Sequence, residues 1–525
     1  MSAQHSIVYF FFIVLIDIAK CARPAAGTDP RYVYEMEASM ASLIKSYVEQ
    51  ERAKLDSLAK RAEELEVRSR SHNASGMNPI KVYQTVEKLV TEWAELQRIM
   101  NTTALSDLLR PNVSVPKHQD LKDVANAVFR IQDVYEIMPT HIAAGAVKGL
   151  EQIGKFSAKN CFDLGNIAFE MQDYYHALWW FQTAVDRLLH EEPPSMDYSE
   201  LYPALAVSME KTNNTRRAMH LAMLFDEATR EKEMYNRTLE KYPELKLLVR
   251  EAAKIDWTTV DDLPSVINER ADWNSVAEQP KYESLCRQEV QNEIFLTGAN
   301  YTCYYDRSSP YLSLAPAKVE RLRDEPSLFI YRQVISDNEI KVLQELAVPR
   351  MSHATVGSLY GNRSTLTKVR ESYTGWLGDQ DHSVVERVRK RVGAMTKLDI
   401  KYSELLQVNL YGIGGHYKPH YDTFKKVGEI GNEPDHTFSH NRIATFMFYL
   451  DSPSLGGGTA FPLADLVVKP SKNDAVFWYN LLPSGMSDKK TLHAGCPVIL
   501  GTKWVANQWI KVRGQELSRK CNLTK

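Results

Sequence analysis

The hydrophobic pattern of the chain changes near residue 326, and this change limits the fold more than any other feature. Before it, apolar residues recur every three to four positions over long stretches, which is typical of amphipathic helices. After it, short apolar runs alternate with turns rich in glycine and proline, which indicates strands at 405–411, 443–450, 475–479 and 504–512. The sequence therefore predicts a multidomain α+β protein that ends in a sandwich or a double-sheet jelly roll. A helix at 384–395 is expected to back one sheet.

Three amphipathic helices are predicted in the N-terminal region, residues 28–145. The first is coiled-coil-like, although Glu51 interrupts its apolar seam. Because the heptads are few, the pattern fits a plain helical bundle as well as a dimerisation arm. The apolar positions are Ile44, Val48, Leu55, Leu58, Ala62 and Leu65 in the first helix, Val82, Val86, Leu89, Val90, Trp93 and Leu96 in the second, and Leu121, Val124, Ala125, Val128, Ile131 and Val134 in the third.

Residues 150–250 carry the spacing of a tetratricopeptide helix pair, and a weaker echo of it follows. In CFDLGNIAFEMQDYYHALWWFQTAV, which begins at Cys161, the small residues Gly165 and Ala177 let two helices cross closely while Phe181 fills the contact. Two such pairs would form a concave surface that binds a peptide. The tyrosines that could line this surface, or could simply pack between helices, are Tyr174, Tyr175 and Tyr202.

The N-terminus indicates a secreted or luminal protein. Residues 7–16 form an unbroken apolar run that fits the core of a signal peptide at 1–22, although no Lys or Arg precedes it. A buried strand or a short anchor is the alternative. The formal net charge of −2 gives no sign of a nucleic-acid or anionic-membrane partner. N-x-[ST] acceptors occur at Asn73, Asn101, Asn112, Asn213, Asn236, Asn300, Asn362 and Asn522, which is weak support by itself.

Removal of the signal peptide leaves an odd number of cysteines, so at least one thiol is free or paired between chains. Cys286 with Cys303, and Cys496 with Cys521, are natural local pairs in an oxidising compartment. The first pair would staple residues 251–325, which are mixed and polar and are interpreted as a linker. No C-x-x-C or zinc-binding spacing is present.

A short segment, GGHYKPHYD at 414–422, suggests a metal site. His420 and Asp422 are two residues apart, so on an extended segment their side chains point the same way. This spacing is common by chance, and its second copy, at His118 and Asp120, is interpreted as a helix start capped by the aspartate. The copy at His420 instead follows a strand and a Gly-Gly turn. With one more ligand it would complete the two-His, one-carboxylate set that holds Fe(II).

A later strand carries the other residues that such a site needs. His493, in TLHAGC, is the candidate third ligand. Lys503 follows ten residues later and shares one strand face with Val505, Asn507 and Trp509. A lysine buried on that face needs an anionic partner, because an unpaired buried ammonium is costly. A dicarboxylate cosubstrate would supply that partner.

These segments together resemble the Fe(II)- and 2-oxoglutarate-dependent dioxygenases, and nearly the whole chain is similar to the catalytic α subunits of collagen prolyl 4-hydroxylases. The motifs are YGIGGHYKPHYD, GNEPDHTFSHNRIATFMFYL, GGGTAFP, AVFWYNL, LHAGCPVILGTKWVANQWI and RGQELSRKC. The resemblance implies a double-stranded β-helix at residues 326–525. It implies that His420, Asp422 and His493 bind iron. It also implies that Lys503 pairs with the distal carboxylate of 2-oxoglutarate.

The resemblance implies roles for further residues around this site. Tyr411 and Thr445 would line the cosubstrate pocket, whereas Tyr417 and Trp509 would contact the peptide. Both local cysteine pairs also match the family, which leaves Cys161 unpaired. The remaining histidines of this region, which are not expected to be ligands, are His416, His436 and His440.

The implied activity is hydroxylation of peptidyl proline at C4, with Fe(II), O2 and 2-oxoglutarate consumed to succinate and CO2 and with ascorbate as a further cofactor. The implied partner is protein disulfide isomerase, in an α2β2 assembly within the endoplasmic reticulum lumen. The second helix pair carries few tyrosines, so the substrate is either collagen-like or another proline-rich secretory polypeptide. A non-catalytic peptide-binding protein and a hydroxylase of a non-collagen secreted substrate are the alternatives.

Overall fold

The computed structural model describes residues 30–71, 78–100, 118–146, 154–231, 233–260, 262–270, 277–291, 302–354, 369–424 and 438–519. The chain divides into two compact units, residues 1–74 with 85–121, and residues 75–84 with 122–525. The expected signal peptide, His436 and Cys521 lie outside the described residues. Within those ranges, no helix has both the length and the apolar character that crossing a membrane requires.

The first unit is built from helix α1 (Pro30–Ser71) and most of helix α2 (Pro79–Met100). Arg68 of α1 donates a hydrogen bond to Glu92 of α2 at 3.1 Å. The apolar positions predicted to form the coiled-coil seam of α1 are largely solvent-exposed, with Ile44 57% and Leu55 60% exposed. Within the described part of a single copy, this seam is therefore largely uncovered, and a role in self-association stays a prediction.

The remaining helices before the catalytic region are short. They are α3 (His118–Tyr135), α4 (Pro139–Ala143), α5 (Ala158–Glu170), α6 (Tyr174–Leu188), α7 (Tyr198–Lys211), α8 (Thr215–Thr229), α9 (Met234–Lys241) and α10 (Pro243–Ala252). The interpretation of Asp120 as an N-cap is wrong, because α3 begins at His118 and Asp120 lies in its first turn. A carboxylate there still complements the helix dipole, so its role is structural.

Helices α5 and α6 form the predicted close pair. Ser157 caps α5 through a reciprocal capping box with Asn160, and Asp173 caps α6. Gly165 faces the ring of Phe181, and a methyl group added at Gly165 would lie 2.5 Å from two of its ring carbons. The absence of a side chain at this position is therefore what allows the two helices to approach.

Replacing Gly165 with alanine is expected to lower the free energy of unfolding. Alanine favours the helix by about 1 kcal/mol over glycine, but overpacking a close contact costs about 1–3 kcal/mol. Because the added methyl group would lie only 2.5 Å from two ring carbons, the overpacking cost should be in the upper part of that range. The net loss should then be about 1–2 kcal/mol, measurable as a lower Tm. The double variant with Phe181→Leu should recover part of the loss, whereas an unchanged Tm in Gly165→Ala would contradict the close contact.

The strands of the second unit form a double-sheet fold. They are β1 (Thr302–Asp306), β2 (Ala317–Arg323), β3 (Leu328–Arg332), β4 (Ser352–His353), β5 (Arg370–Glu371), β6 (Tyr373–Leu377), β7 (Leu406–Tyr411), β8 (His416–His420), β9 (Arg442–Tyr449), β10 (Leu455–Gly456), β11 (Thr459–Phe461), β12 (Leu466–Val468), β13 (Ala475–Tyr479), β14 (His493–Gly495), β15 (Val498–Leu500) and β16 (Lys503–Lys511). The accompanying helices are α11 (Gln279–Gln291), α12 (Pro310–Leu314), α13 (Asp337–Ala347) and α14 (Ser383–Thr396).

A large sheet and a small sheet face each other. The large sheet has the order β1-β2-β3-β13-β9-β16-β7-β6-β4, and the small one β12-β11-β14-β8-β5. Along β9, Met447 and Tyr449 point into the core shared by both sheets, whereas Phe446 and Phe448 point outward onto a core that includes α13 and α14. This alternation confirms the predicted jelly roll with a backing helix. The large sheet also includes β1 and β2, which precede residue 326 in the segment interpreted as a linker.

Helix α11 covers the small sheet and corrects the predicted disulfides. It packs against β10, β11 and β12 and places Cys286 in one apolar core with Cys496. These two cysteines form a disulfide, with Cα atoms 5.6 Å apart. The expected pairs of Cys286 with Cys303 and of Cys496 with Cys521 are therefore not formed. Cys303 lies exposed on the edge strand β1 of the other sheet, and Cys161 is buried and free as expected.

Candidate active site

The structure brings His420, Asp422 and His493 together. His420 ends β8 and His493 begins β14, and the two residues are direct cross-strand partners in the small sheet. One ligand atom from each of the three side chains lies within 4.8 Å of the other two. The carboxylate oxygens of Asp422 lie 3.8 Å from Nε2 of His420 and 3.6 Å from Nε2 of His493. The three groups are therefore close enough together to bind one metal ion.

Hydrogen bonds to the backbone fix both imidazole rings. Nδ1 of His420 lies 2.8 Å from the carbonyl oxygen of Lys418, and Nδ1 of His493 lies 2.9 Å from that of Thr491. A carbonyl only accepts, so each Nδ1 carries the proton and each Nε2 presents a lone pair toward Asp422.

The protonation states also suit a metal ion. Burial and the neighbouring His493 lower the pKa of His420 to about 3, so this ring is neutral at physiological pH. Burial alone would raise the pKa of Asp422, but His493, His420 and Arg442 lower it to about 2. Two imidazoles and one carboxylate are the donors that Fe(II) takes in oxygenases.

Thr445, on β9 of the large sheet, holds the carboxylate of Asp422. Its hydroxyl donates a hydrogen bond to Oδ2 of Asp422 at 2.7 Å and accepts one from Nδ2 of Asn480 at 2.9 Å. Thr445 is 1% exposed, so no water replaces either partner. The resemblance placed Thr445 in the cosubstrate pocket, and the structure shows that its hydroxyl orients the aspartate. Asn480 was missed, and only its place one residue after β13 could have indicated it.

Replacing Thr445 with valine is expected to weaken metal binding by about 10- to 100-fold, because partners of this kind orient and tune the ligands. Valine keeps the shape of threonine, so the fold should remain. Titration of the purified full-length protein with Mn(II) measures the effect, and thermal unfolding checks the fold. Thr445→Ser, which keeps the hydroxyl, should bind metal nearly as the wild type does. Equal affinity in Thr445→Val would contradict the orienting role.

Lys503 lies at the start of β16, directly opposite Tyr411 at the end of β7. The lysine is 4% exposed, and its ammonium has only long contacts, 3.5 Å to the carbonyl oxygen of Gly458 and 3.3 Å to the hydroxyl of Thr459. Burial lowers the pKa of Lys503 to about 8, and the carboxylate of Glu289 opposes that shift. Neither contact is to a carboxylate, and no described residue offers this ammonium a carboxylate at salt-bridge distance. The buried ammonium therefore lacks a close counterion among the described residues, and the carboxylate of a bound molecule would supply one.

Comparisons with known proteins match this arrangement over nearly the whole chain. Family models match for the prolyl 4-hydroxylase alpha-subunit N-terminal region at residues 29–149, the prolyl 4-hydroxylase peptide-substrate-binding domain at 158–248 and the 2OG-Fe(II) oxygenase superfamily at 406–511. Prolyl 4-hydroxylase subunit alpha-2 of Caenorhabditis elegans is 36% identical over 513 residues, which cover 95% of this chain and 93% of that protein. The chain belongs to the prolyl 4-hydroxylase alpha-subunit family.

A second curated relative agrees with this assignment. Prolyl 4-hydroxylase subunit alpha-1 of Rattus norvegicus is 33% identical over 504 residues, which cover 93% of each chain. A solved viral collagen prolyl hydroxylase from Paramecium bursaria Chlorella virus-1 is 29% identical and covers 35% of this chain and 95% of its own, with a TM-score of 0.29. The family and the oxygenase domain make this prolyl 4-hydroxylase subunit a 2-oxoglutarate-dependent dioxygenase that hydroxylates proline.

Two aromatic residues predicted to contact peptide in this prolyl 4-hydroxylase subunit each lie under an arginine, and one of them also stacks on an iron-ligand candidate. The ring of Tyr417 stacks on His420 with centroids 3.5 Å apart, and the guanidinium of Arg370 lies 4.8 Å above it. Trp509 is only 5% exposed, and Arg442 covers its indole at 3.5 Å. Sequence reasoning missed both arginines, although Arg442 lies directly before the strand predicted at 443–450. A peptide-binding role for either ring stays a prediction.

The other histidines of this region stay outside the metal cluster. His416 is buried on β8, and burial together with Arg130 and Lys418 lowers its pKa well below the usual value. It is not one of the three residues that could share an ion among those the structure describes. His440 is exposed, as expected.

The tyrosines of the peptide-substrate-binding domain are partly buried. Tyr174 packs edge-on against Phe169, with ring centroids 5.5 Å apart. Tyr202 lies 5.7 Å from Tyr198, a residue that the i, i+4 spacing in DYSELY could have indicated. Tyr175 packs against a buried histidine and remains half-exposed. Each of these rings packs against a neighbouring ring and is also partly exposed. This is compatible both with packing between helices and with lining a peptide-binding surface.

Proposed function

We propose that this subunit hydroxylates C4 of proline in collagen-like or other proline-rich secretory polypeptides, with Fe(II) held by His420, Asp422 and His493. The convergence of these three ligand atoms within 4.8 Å carries the proposal. Both imidazoles are fixed by backbone carbonyls with Nε2 free, which suits a metal ion better than acid–base catalysis. When bound, the iron would activate O2 while 2-oxoglutarate is decarboxylated to succinate.

Lys503 supports the choice of cosubstrate. It comes from the large sheet, whereas the iron-ligand candidates come from the small one, so a molecule bound by both would lie between the sheets. A dicarboxylate fits, because one end would chelate the metal and the other would pair with the buried ammonium. Tyr411 would line this pocket, since its ring lies 5.8 Å from Nζ of Lys503. Ascorbate is proposed as the reductant that restores iron oxidised in unproductive turnovers.

The family models support further parts of the proposal. The peptide-substrate-binding domain would hold proline-rich segments away from the site, on a surface that includes Tyr174, Tyr175 and Tyr202. A separate binding domain on the same chain raises the local concentration of substrate at the iron. We propose protein disulfide isomerase as the partner in an α2β2 assembly, and the endoplasmic reticulum lumen as the location.

Co-expression of the chain with protein disulfide isomerase, followed by a 2-oxoglutarate decarboxylation assay, tests this function. The assay contains Fe(II), ascorbate and a (Pro-Pro-Gly)n peptide, and mass spectrometry locates the added oxygen atom. Hydroxylation of the proline before glycine is the expected result. Decarboxylation without peptide hydroxylation would retain the metal site and favour a non-collagen substrate. No turnover by a folded complex would favour a peptide-binding protein without catalysis.

A further inference from the structure

Glu289 is a buried carboxyl group that the activity described above does not use. It lies on α11, outside both sheets, and is 2% exposed. The backbone of Gly458 provides a hydrogen bond to its carboxyl group, but Oε2 has no hydrogen-bond partner in the described part of the chain. A buried carboxylate oxygen without a hydrogen-bond partner lowers the stability of the fold, so a functional role for Glu289 would explain why a carboxyl group is present there.

Glu289 lies close to Lys503, the residue proposed to bind the cosubstrate, because both side chains contact Gly458. Gly458 touches both groups, because its carbonyl oxygen lies 3.5 Å from Nζ of Lys503 while a methyl group at its Cα would lie 3.3 Å from Oε2 of Glu289. Burial raises the pKa of Glu289, and the charge of Lys503 is the largest opposing influence. The carboxyl group therefore acts on the ammonium that is proposed to receive 2-oxoglutarate.

Apart from Lys503, the charged or titratable groups that face Glu289 do not compensate the negative charge of its carboxylate. Tyr135 of α3 and Tyr449 of β9 are buried phenols whose pKa values burial raises further, so they stay neutral. Lys469, after β12, is exposed, so water screens its charge. Among the residues that the structure describes, Lys503 is the one buried cation that acts on this carboxyl group.

Binding of 2-oxoglutarate would add a second carboxylate to the buried pair formed by Glu289 and Lys503. The pocket would then hold two carboxylates and one ammonium away from water, which leaves an uncompensated negative charge. Two carboxyl groups that share one buried site do not both stay ionised, and the one with the raised pKa binds the proton.

We propose that Glu289 binds a proton when 2-oxoglutarate enters the pocket, so that cosubstrate binding is coupled to proton uptake at this carboxyl group. The proposal rests on Lys503 being the cosubstrate residue, as proposed above. Solvent supplies the proton and Oε2 of Glu289 accepts it; no covalent bond to carbon forms or breaks. Linkage then requires 2-oxoglutarate to bind more tightly as the pH falls, by up to about tenfold per pH unit in the range where Glu289 titrates.

Calorimetry of 2-oxoglutarate binding tests this coupling without turnover. The full-length protein, co-purified with protein disulfide isomerase and loaded with Mn(II), is titrated in pairs of buffers that differ in ionisation enthalpy, between about pH 6 and pH 8. The buffer dependence of the heat gives the number of protons taken up. The wild type is expected to take up close to one proton more than Glu289→Gln. Glu283→Gln, which removes a buried carboxyl group elsewhere on α11, should match the wild type.

A second background separates Glu289 from Lys503, whose deprotonated amine can itself gain a proton on binding because burial lowers the pKa of Lys503 to about 8. In Lys503→Arg the guanidinium stays protonated throughout this range, so proton uptake there that disappears in Lys503→Arg/Glu289→Gln belongs to Glu289. Equal proton uptake with and without Glu289 in both backgrounds would overturn the inference while leaving the cosubstrate assignment intact. Absence of any 2-oxoglutarate binding, in wild type and variants alike, would instead overturn the assignment of the pocket.

Discussion

Replacing His493 with alanine is expected to reduce turnover by at least about 10³-fold, which corresponds to a barrier increase of about 4 kcal/mol. The substitution removes one of three donors and leaves His420 and Asp422 as an incomplete set. The protein should therefore lose bound metal as well as activity. Metal content after dialysis, measured by mass spectrometry of the full-length protein, and proline hydroxylation measured in parallel give two independent readings.

His416→Ala is the matched control for this variant. His416 is also a buried histidine of the small sheet, on the strand that carries His420, but it lies outside the three-residue cluster. The control should retain metal at the wild-type stoichiometry even if removal of the ring lowers the Tm. Equal metal retention by His493→Ala and His416→Ala would contradict the ligand role of His493.

The local geometry of the site followed from sequence, because strand alternation is a short-range rule. His420 and Asp422 are two residues apart, and on an extended segment this spacing predicts that their side chains point the same way. The structure places both side chains close to His493. The same rule placed Lys503 and Val505 on one face of β16, and both are buried. These predictions needed only the period of a strand and the identity of the side chains.

Contacts between distant segments could not be predicted in this way. The expected disulfides joined cysteines near one another in sequence, whereas Cys286 and Cys496 are 210 residues apart and meet because α11 lies across the small sheet. The hydroxyl of Thr445 reaches Asp422 for a similar reason, since the two belong to facing sheets. Glu289 gives no sequence signal, because its helix is an ordinary polar segment in sequence and only packing against the small sheet buries this residue.

Replacing Lys503 with alanine is expected to raise the KM for 2-oxoglutarate by at least about 30-fold, with metal binding retained. Removing one partner of a buried, hydrogen-bonded charge pair costs about 2–5 kcal/mol, because the other charge is left without compensation. Here that charge is the distal carboxylate of the cosubstrate. The ligand set of the metal comes from the small sheet, so loss of a side chain on β16 should leave it in place. The dependence of turnover on 2-oxoglutarate concentration measures the effect.

Lys511→Ala is the control, since Lys511 ends the same strand and is partly exposed. It should leave the KM for 2-oxoglutarate at the wild-type value. Lys503→Arg keeps the charge but enlarges a group in a tight pocket, so it should recover only part of the affinity. A normal KM in Lys503→Ala would show that the ammonium does not bind the cosubstrate, and Glu289 would then be its partner in every state. The carboxyl group of Glu289 and the distal carboxylate of 2-oxoglutarate thus compete for the ammonium of Lys503. The KM of Lys503→Ala shows whether the cosubstrate depends on that ammonium.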